Sequence, residues 1–133
     1  TNNDTEDWYP QINDKGDIVW QGKNGDDWEI FFFSPTTPDT VFQITDNSSD
    51  DMFPQINADG DISWMAFGAE ETGIYLFDAD MKLVYKGAIN DKFESSEKKA
   101  KKFFLEDAMK SLGSGKEIKV KETQNRGCSI KRV

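Results

Sequence analysis

The sequence of 133 residues contains no histidine and only one cysteine. Without histidine, the chain cannot form Ser-His-Asp or Cys-His catalytic arrangements or zinc sites that use imidazole ligands. A single cysteine, Cys128, cannot form a disulfide within the chain. The sequence also has no run of about 18 apolar residues, so no membrane span or membrane partner is predicted. These absences predict a protein that is not an enzyme.

Positive charge is scarce in the first part of the chain. Residues 1–80 contain 18 Asp and Glu but 2 Lys and Arg, whereas residues 81–133 contain 7 and 14, which together give the net charge of −9. This distribution predicts an acidic sheet surface followed by a helix with a solvated basic face. Nucleic acid is not expected as a partner, because the adjacent acidic surface repels phosphate.

The first two-thirds of the chain is an internal repeat. Residues 1–44 align with residues 45–88 without a gap. The aligned pairs include Asp7 with Asp51, Pro10 with Pro54, Asn13 with Asn57, Gly16 with Gly60, Ile18 with Ile62, Trp20 with Trp64 and Phe33 with Phe77. A repeat of this length predicts supersecondary units that stack to bury their hydrophobic faces.

Each repeat contains four short apolar alternations separated by Gly, Asn and Asp, which are typical of turns between strands. The predicted strands are Tyr9–Ile12, Asp17–Gln21, Glu29–Phe33, Thr40–Ile44, Phe53–Ile56, Asp61–Ala66, Ile74–Phe77 and Leu83–Lys86. Gly16 and Gly60 stand at turn positions that require positive φ. The predicted fold class is mainly β (α+β), with two tandem four-stranded antiparallel meanders.

The motif DxxPQIxxxGDIxW, followed by the strands EIFFF and VFQIT, resembles the blade repeat of TolB-like, WD40-like β-propellers over about residues 1–85. The resemblance implies a rigid binding platform in an extracytoplasmic or secreted protein. A closed propeller typically has about four to eight blades, and this chain offers two. The resemblance therefore implies a fragment, an assembly with other chains, or a sheet whose edges are covered by the C-terminal part.

Residues 89–133 have a different periodicity. Ala100, Phe103, Phe104, Ala108 and Leu112 form an apolar stripe that predicts one amphipathic helix, with an N-cap at Ser95 or Ser96 and an end at Gly113. Ile118 and Val120 alternate with lysines, which predicts a short edge strand. We expect this part to pack on the sheet as one cooperative unit with the repeats.

The segments IYLFDADMKLVYKGAIND, from Ile74 to Asp91, and LEDAMKSLGSGKEIKVKETQNRGCSIK, from Leu105 to Lys131, resemble the C-terminal half of AhpC/TSA thioredoxin-like redoxins. In that family the reactive cysteine lies earlier in the chain, and residues 1–127 contain no cysteine. The usual redoxin chemistry is therefore not implied.

Three kinds of residue are candidates for a site. Cys128 lies among basic residues, which lower a thiol pKa, and is a possible redox thiol. Trp8 and Trp28 have no tryptophan at their equivalent positions and are candidates for stacking on sugar or peptide. Asp50, Asp51, Asp59 and Asp61 are weak calcium candidates, because their positions are also explained by turns.

The leading functional prediction is a non-catalytic binding or scaffold module that self-associates through uncovered strand edges. One alternative is a redoxin-derived thiol protein that acts through Cys128. A further alternative is a calcium-dependent surface module. No other cofactor is expected.

Overall fold

A computed structural model describes residues 5–68, 72–91 and 99–124. The described residues form β1 (Asp7–Ile12), β2 (Ile18–Asn24), β3 (Asp27–Phe33), β4 (Val41–Gln43), β5 (Asp50–Ile56), β6 (Ile62–Phe67), β7 (Gly73–Phe77), β8 (Leu83–Gly87) and α1 (Phe104–Gly113). Strands β1–β4 form one antiparallel sheet and β5–β8 another, each in chain order. The predicted tandem meanders and C-terminal helix are confirmed. No helix in this described part is long and apolar enough to span a membrane.

The same turn joins the first two strands of both sheets. The side-chain oxygen of Asn13 accepts the backbone N–H four residues later at 3.0 Å, and that of Asn57 does so at 2.8 Å. These side-chain acceptors satisfy the turn backbone, as Asn commonly does in tight turns. Gly16 and Gly60 have φ of 84° and 100°, which confirms the predicted positive φ. The repeated turn motif therefore fixes the same hairpin twice.

The main core lies between the two sheets. The inner face of the first sheet is mostly aliphatic, and the second sheet places aromatic rings against it. The cluster contains Val19, Ile30, Phe32, Ile44, Ile56, Ile62, Trp64, Tyr75, Phe77 and Met81. Trp64 stacks on Tyr75 with ring centroids 5.4 Å apart and meets Phe77 edge-on at 4.9 Å. Burial of these rings is the main source of cohesion between the sheets.

Equivalent residues of the two repeats meet across this interface. Asn13 donates a side-chain hydrogen bond to the carbonyl of Asn57 at 3.3 Å. Lys15 donates one to the carbonyl of Asp59 at 2.7 Å. Because each pair occupies the same position in its repeat, the second sheet stacks on the first as the next unit of a series.

A buried glutamine also joins the sheets. Gln21 on β2 is 2% exposed, and its Oε1 accepts the backbone N–H of Phe53 on β5 at 2.8 Å. The equivalent residue of the second repeat is Met65. The glutamine is therefore specific to the interface that the first sheet makes with the second.

Replacement of Gln21 by Met is expected to lower the free energy of unfolding by about 1–3 kcal/mol, because the N–H of Phe53 loses its acceptor at the contact between the sheets. Urea denaturation measures the change. Gln55→Met is the matched control, because Gln55 is exposed and its side chain donates to the adjacent Pro54 carbonyl rather than across the interface. Equal losses in the two variants would contradict the assigned role.

The outer face of the second sheet is covered by the C-terminal part. Leu76 and Tyr85 of this face pack against Ala108 of α1 and Ile118 beyond it, and all four side chains are buried. The helix thus occupies the position that a further stacked sheet would take, and it caps the stack at this end.

The chain after α1 crosses the edge of β8. The hydroxyl of Thr123 accepts the N–H of Ala88 at 2.8 Å. Gly87 has φ of 141°, and an added Cβ would lie 2.1 Å from this hydroxyl, so glycine permits the close approach. The predicted edge strand at Ile118–Val120 is reduced to a single bridge, between Lys86 and Glu122.

The predicted start of the helix is wrong where the structure describes it. Residues 99–103 are not helical, and the N-cap residue Phe103 makes no side-chain cap. Asp91 instead accepts the N–H groups of Lys102 and Lys101, and these bonds lower its pKa. This pairing holds the segment out of the helix, so α1 begins at Phe104. Ser95 and Ser96 lie outside the described residues.

Candidate functional site

Five aromatic side chains form a continuous row across both repeats. We call this row the aromatic strip; in spatial order it contains Trp28, Trp8, Tyr9, Phe53 and Phe67. The centroids of consecutive rings are 5.7, 6.3, 5.4 and 6.2 Å apart. Tyr9 belongs to the first sheet and Phe53 to the second, so the contact between their rings continues the row from one sheet to the other.

Four of the five side chains of the strip are exposed to solvent, and that of Trp28 is half-buried. Trp8, Tyr9 and Phe53 are 51%, 50% and 42% exposed, and Phe67 is also exposed. Single exposed apolar residues are common on proteins, but a contiguous exposed aromatic patch typically marks an interaction site. The row therefore differs in kind from the buried aromatic core.

The backbone at the centre of the strip is strained. Tyr9 and Phe53, which occupy the same position in their repeats, have φ of 53° and 59°. Positive φ is unusual for bulky residues and costs on the order of 1–3 kcal/mol at each position. Both residues lie within interruptions of strand register, between Trp8 and Gln11 and between Met52 and Gln55. The bulges direct both rings into the strip.

The rings of the strip do not share a plane. Interplanar angles along the row are 58°, 56°, 63° and 82°. One cation accompanies the row, because the ammonium of Lys23 lies 5.7 Å from the ring centroid of Trp28. The strip thus presents both ring edges and ring faces rather than one flat surface.

Acidic residues lie close to one end of the strip. Asp50 accepts the backbone N–H of Trp28 at 3.1 Å. Glu6 and Asp26 are exposed close to Trp8 and Trp28 in sequence. The local surface therefore favours a neutral or cationic ligand over an anionic one.

Sequence reasoning identified two members of the strip. Trp8 and Trp28 were predicted as stacking residues, and the structure brings them together. It missed Tyr9 and Phe53, which begin predicted regular strands, and Phe67, which directly follows the predicted strand Asp61–Ala66 and belongs to β6 in the structure. The signal that was present is the aromatic residue that directly precedes proline in both repeats, at Tyr9 and Phe53.

The calcium candidates serve as hydrogen-bond acceptors within the fold. Asp51 accepts the indole N–H of Trp64 at 2.9 Å, and Asp61 accepts the N–H of Ala79 at 3.1 Å. Lys15 is bonded to the carbonyl of Asp59. In residues 5–68, 72–91 and 99–124, no group of three or more acidic, Cys or His residues is placed to hold a metal ion. Cys128 lies outside these ranges.

Comparisons with family models, with curated proteins and with solved structures find no match to this chain. The resemblances to propeller blades and to redoxins therefore stay predictions. The candidate site rests on the geometry of the strip.

A buried carboxylate lies next to the strip in sequence. Glu29 is 1% exposed, and its Oε1 accepts the N–H of Asn47 at 2.9 Å. No described residue donates a hydrogen bond to its buried Oε2. Burial raises the pKa of Glu29 above 4.5, although hydrogen bonds from Thr45 and Asn47 oppose the shift.

A raised pKa in the folded state means that protonation of Glu29 favours folding. This contribution is present below pH 4.5 and is lost as the pH rises through the folded pKa. We expect Glu29→Gln to gain stability relative to the parent as the pH rises above 4.5, as measured by urea denaturation across this range. Glu6→Gln, at an exposed position, is the control. A constant difference between parent and Glu29→Gln across the series would refute the expectation.

Proposed function

We propose that this chain is a non-catalytic protein-binding module that holds an extended segment of a partner along the aromatic strip. The observation that carries the proposal is the repeated positive φ of Tyr9 and Phe53, which holds two bulky rings in solvent. Strained backbone is kept where the surrounding structure enforces it, and such positions are concentrated at functional sites. Core packing does not explain the strain, because both rings are exposed.

The geometry favours a peptide over a carbohydrate. Stacking on sugar requires flat ring faces, whereas the rings of the strip are tilted by 56° or more from their neighbours. Tilted rings offer both edges and faces to the apolar side chains of an extended chain, which point alternately to opposite sides. The acidic surroundings add a preference for Lys and Arg in the partner. The proposed ligand is therefore an extended, basic segment with apolar side chains.

Tyr9→Asn and Phe53→Asn separate binding from folding. Asn tolerates positive φ better than an aromatic residue, so each variant removes a ring and relieves strain at the same position. We expect the free energy of unfolding to stay within about 1 kcal/mol of the parent or to rise, because the relief of strain offsets the lost ring contacts. Affinity for the ligand is expected to fall about tenfold or more, as at buried aromatic anchors of interfaces.

The probe is a fluorescent peptide of alternating Lys and Leu, titrated with the full chain and followed by anisotropy. A peptide of alternating Glu and Leu is the charge control, and a neutral oligosaccharide tests the carbohydrate alternative. Phe42→Asn is the matched protein control, because Phe42 is exposed on β4 outside the strip. Unchanged affinity in Tyr9→Asn, or binding of the oligosaccharide alone, would overturn the proposal.

Self-association through strand edges stays a prediction. The edge strand β4 has three residues, all exposed, and the C-terminal segment pairs with β8 at its edge. A short edge and a covered edge oppose strand addition at β4 and β8, so the edges to test are those of β1 and β5, which have six and seven residues. Solution mass with and without reductant tests the prediction and also reports any disulfide through Cys128.

A further inference from the structure

The outer face of the first sheet has the same kinds of residue as the inner face of the second sheet, which is buried against the first sheet. We call it the open face; it contains Asp7, Pro10, Ile18, Trp20, Phe31 and Phe33. In the second repeat the equivalent residues are Asp51, Pro54, Ile62, Trp64, Tyr75 and Phe77. That second set packs against the first sheet, whereas no sheet of the described chain covers the open face.

The two faces share their internal chemistry. The indole N–H of Trp20 donates to the carboxylate of Asp7 at 2.9 Å, as that of Trp64 does to Asp51 at 2.9 Å. Trp20 stacks on Phe31 with an interplanar angle of 19°, and Trp64 stacks on Tyr75 at 13°. The open face is thus already organised in the form that binds a neighbouring sheet.

Burial distinguishes the faces. Pro54 and Ile62 are fully buried, whereas Pro10 is exposed and Ile18 is half-buried. A groove of about 330 Å³ lies on the open face, and its lining includes Pro10, Ile18 and Trp20. Trp20 is already buried, at 7% exposed against 3% for Trp64, so the difference in burial between the two faces lies chiefly at Pro10 and Ile18.

The observed interface also shows what an occupant must offer. The first sheet presents aliphatic side chains to the aromatic face, chiefly Val19 and Ile30, and Gln21 accepts a backbone N–H from that face. In the observed interface, Gln21 binds the N–H of Phe53. The residue of the first sheet that is equivalent to Phe53 is Tyr9. An occupant with glutamine at the Gln21 position would place the same acceptor above Tyr9.

A second copy of the chain does not meet these requirements. Its aliphatic face is occupied by its own second sheet, and the outer face of that second sheet is covered by α1. The second repeat also has Met65 in place of the glutamine. Contact between two open faces would offer neither the aliphatic face nor the glutamine acceptor of the observed interface.

We propose that the open face is a docking surface for a further repeat unit with the chemistry of the first repeat: a four-stranded sheet with an aliphatic face and a buried glutamine. The helix closes the stack at one end, and the open face accepts the next unit at the other. The open face borders the aromatic strip at Tyr9, but no ligand on the exposed rings is needed for a repeat unit to dock there.

The test adds the proposed occupant to the full chain. An extended chain carries a second copy of residues 1–44 before Thr1. The last residue of the added copy is then joined to Thr1 in the same way that Ile44 is joined to Thr45 in the parent. Ile18→Ala is then made in the original repeat of both the parent and the extended chain. Ile62→Ala in the parent provides the reference for a fully covered position.

We expect the shift in urea midpoint caused by Ile18→Ala to at least double on extension and to approach the shift caused by Ile62→Ala. A control extension carries Val19→Lys and Ile30→Lys in the added copy only, which removes the aliphatic face. In that control the Ile18→Ala shift should return to its value in the parent. Sedimentation velocity compares the parent with Ile18→Ala. We expect the two proteins to have the same oligomeric state, because a second copy does not occupy the open face.

Three results would overturn the proposal. One is an unchanged Ile18→Ala shift in the extended chain. Another is an added repeat that unfolds in a separate transition, because it would then gain nothing from the open face. The third is a dimer of the parent that Ile18→Ala dissociates, because the occupant would then be a second copy.

Discussion

Trp64→Ala is expected to lower the free energy of unfolding by about 3–5 kcal/mol. Trp64 is 3% exposed between the sheets, stacks on Tyr75 and donates its indole N–H to Asp51. Its removal leaves a cavity and deprives a buried carboxylate of a donor, and both effects destabilise the fold. Urea denaturation followed by far-UV circular dichroism measures the loss.

Trp8→Ala is the matched control, because Trp8 is half exposed in the aromatic strip. It is expected to cost about 1 kcal/mol or less, as at positions away from the core. Trp64→Phe should lose less than Trp64→Ala and keeps the comparison possible if the alanine variant does not fold. Equal losses for Trp8→Ala and Trp64→Ala would contradict the placement of the core.

Ala108→Glu is expected to cost about 3–5 kcal/mol and to detach the helix from the second sheet, because it places an unpaired charge in a buried contact. Ala108 is 2% exposed, and it packs in a cluster with Leu76, Tyr85 and Ile118. Loss of the cap exposes this apolar sheet face, so the variant should also self-associate. Chemical denaturation and sedimentation velocity report the two effects.

Met109→Glu tests whether the effect depends on the helix face. Met109 is the next residue of α1 and is 52% exposed, so the same substitution should change stability by about 0.5 kcal/mol or less. If Ala108→Glu were as stable and monomeric as Met109→Glu, the helix would not act as a cap.

The repeat made the sheets predictable from sequence. Two aligned copies of one turn motif give the strand boundaries twice, and each of the eight predicted strands is present in the described residues. Strands β1 and β5 extend further towards the N-terminus than predicted, to Asp7 and Asp50, because pairing continues beyond each bulge. Periodicity alone does not indicate a bulge, so this extension was not predicted.

The aromatic strip was less predictable, because it depends on backbone conformation. In a regular strand, Tyr9 would alternate with its neighbours between the two faces of the sheet. Positive φ at Tyr9 and Phe53 redirects both rings towards each other, and no local sequence preference favours that conformation for an aromatic residue. The sequence did identify Trp8 and Trp28, because each has a different residue at the equivalent position of the second repeat.

The start of the helix depended on a contact that is distant in sequence. The apolar stripe includes Ala100 and Phe103, which predicted a longer helix. Asp91 instead binds the N–H groups of Lys101 and Lys102, and Ile89 accepts the N–H of Leu105. These tertiary hydrogen bonds override the local preference for helix.

The conformation of Tyr9 and Phe53 in solution tests the account most directly. In a nuclear magnetic resonance experiment on the full chain, positive φ gives a strong nuclear Overhauser effect between the amide and α protons of the same residue. We predict this strong signal at both Tyr9 and Phe53, together with contacts between their rings. A weak intraresidue signal at either residue, typical of an extended strand, would contradict the claim that strained backbone holds the aromatic strip in place.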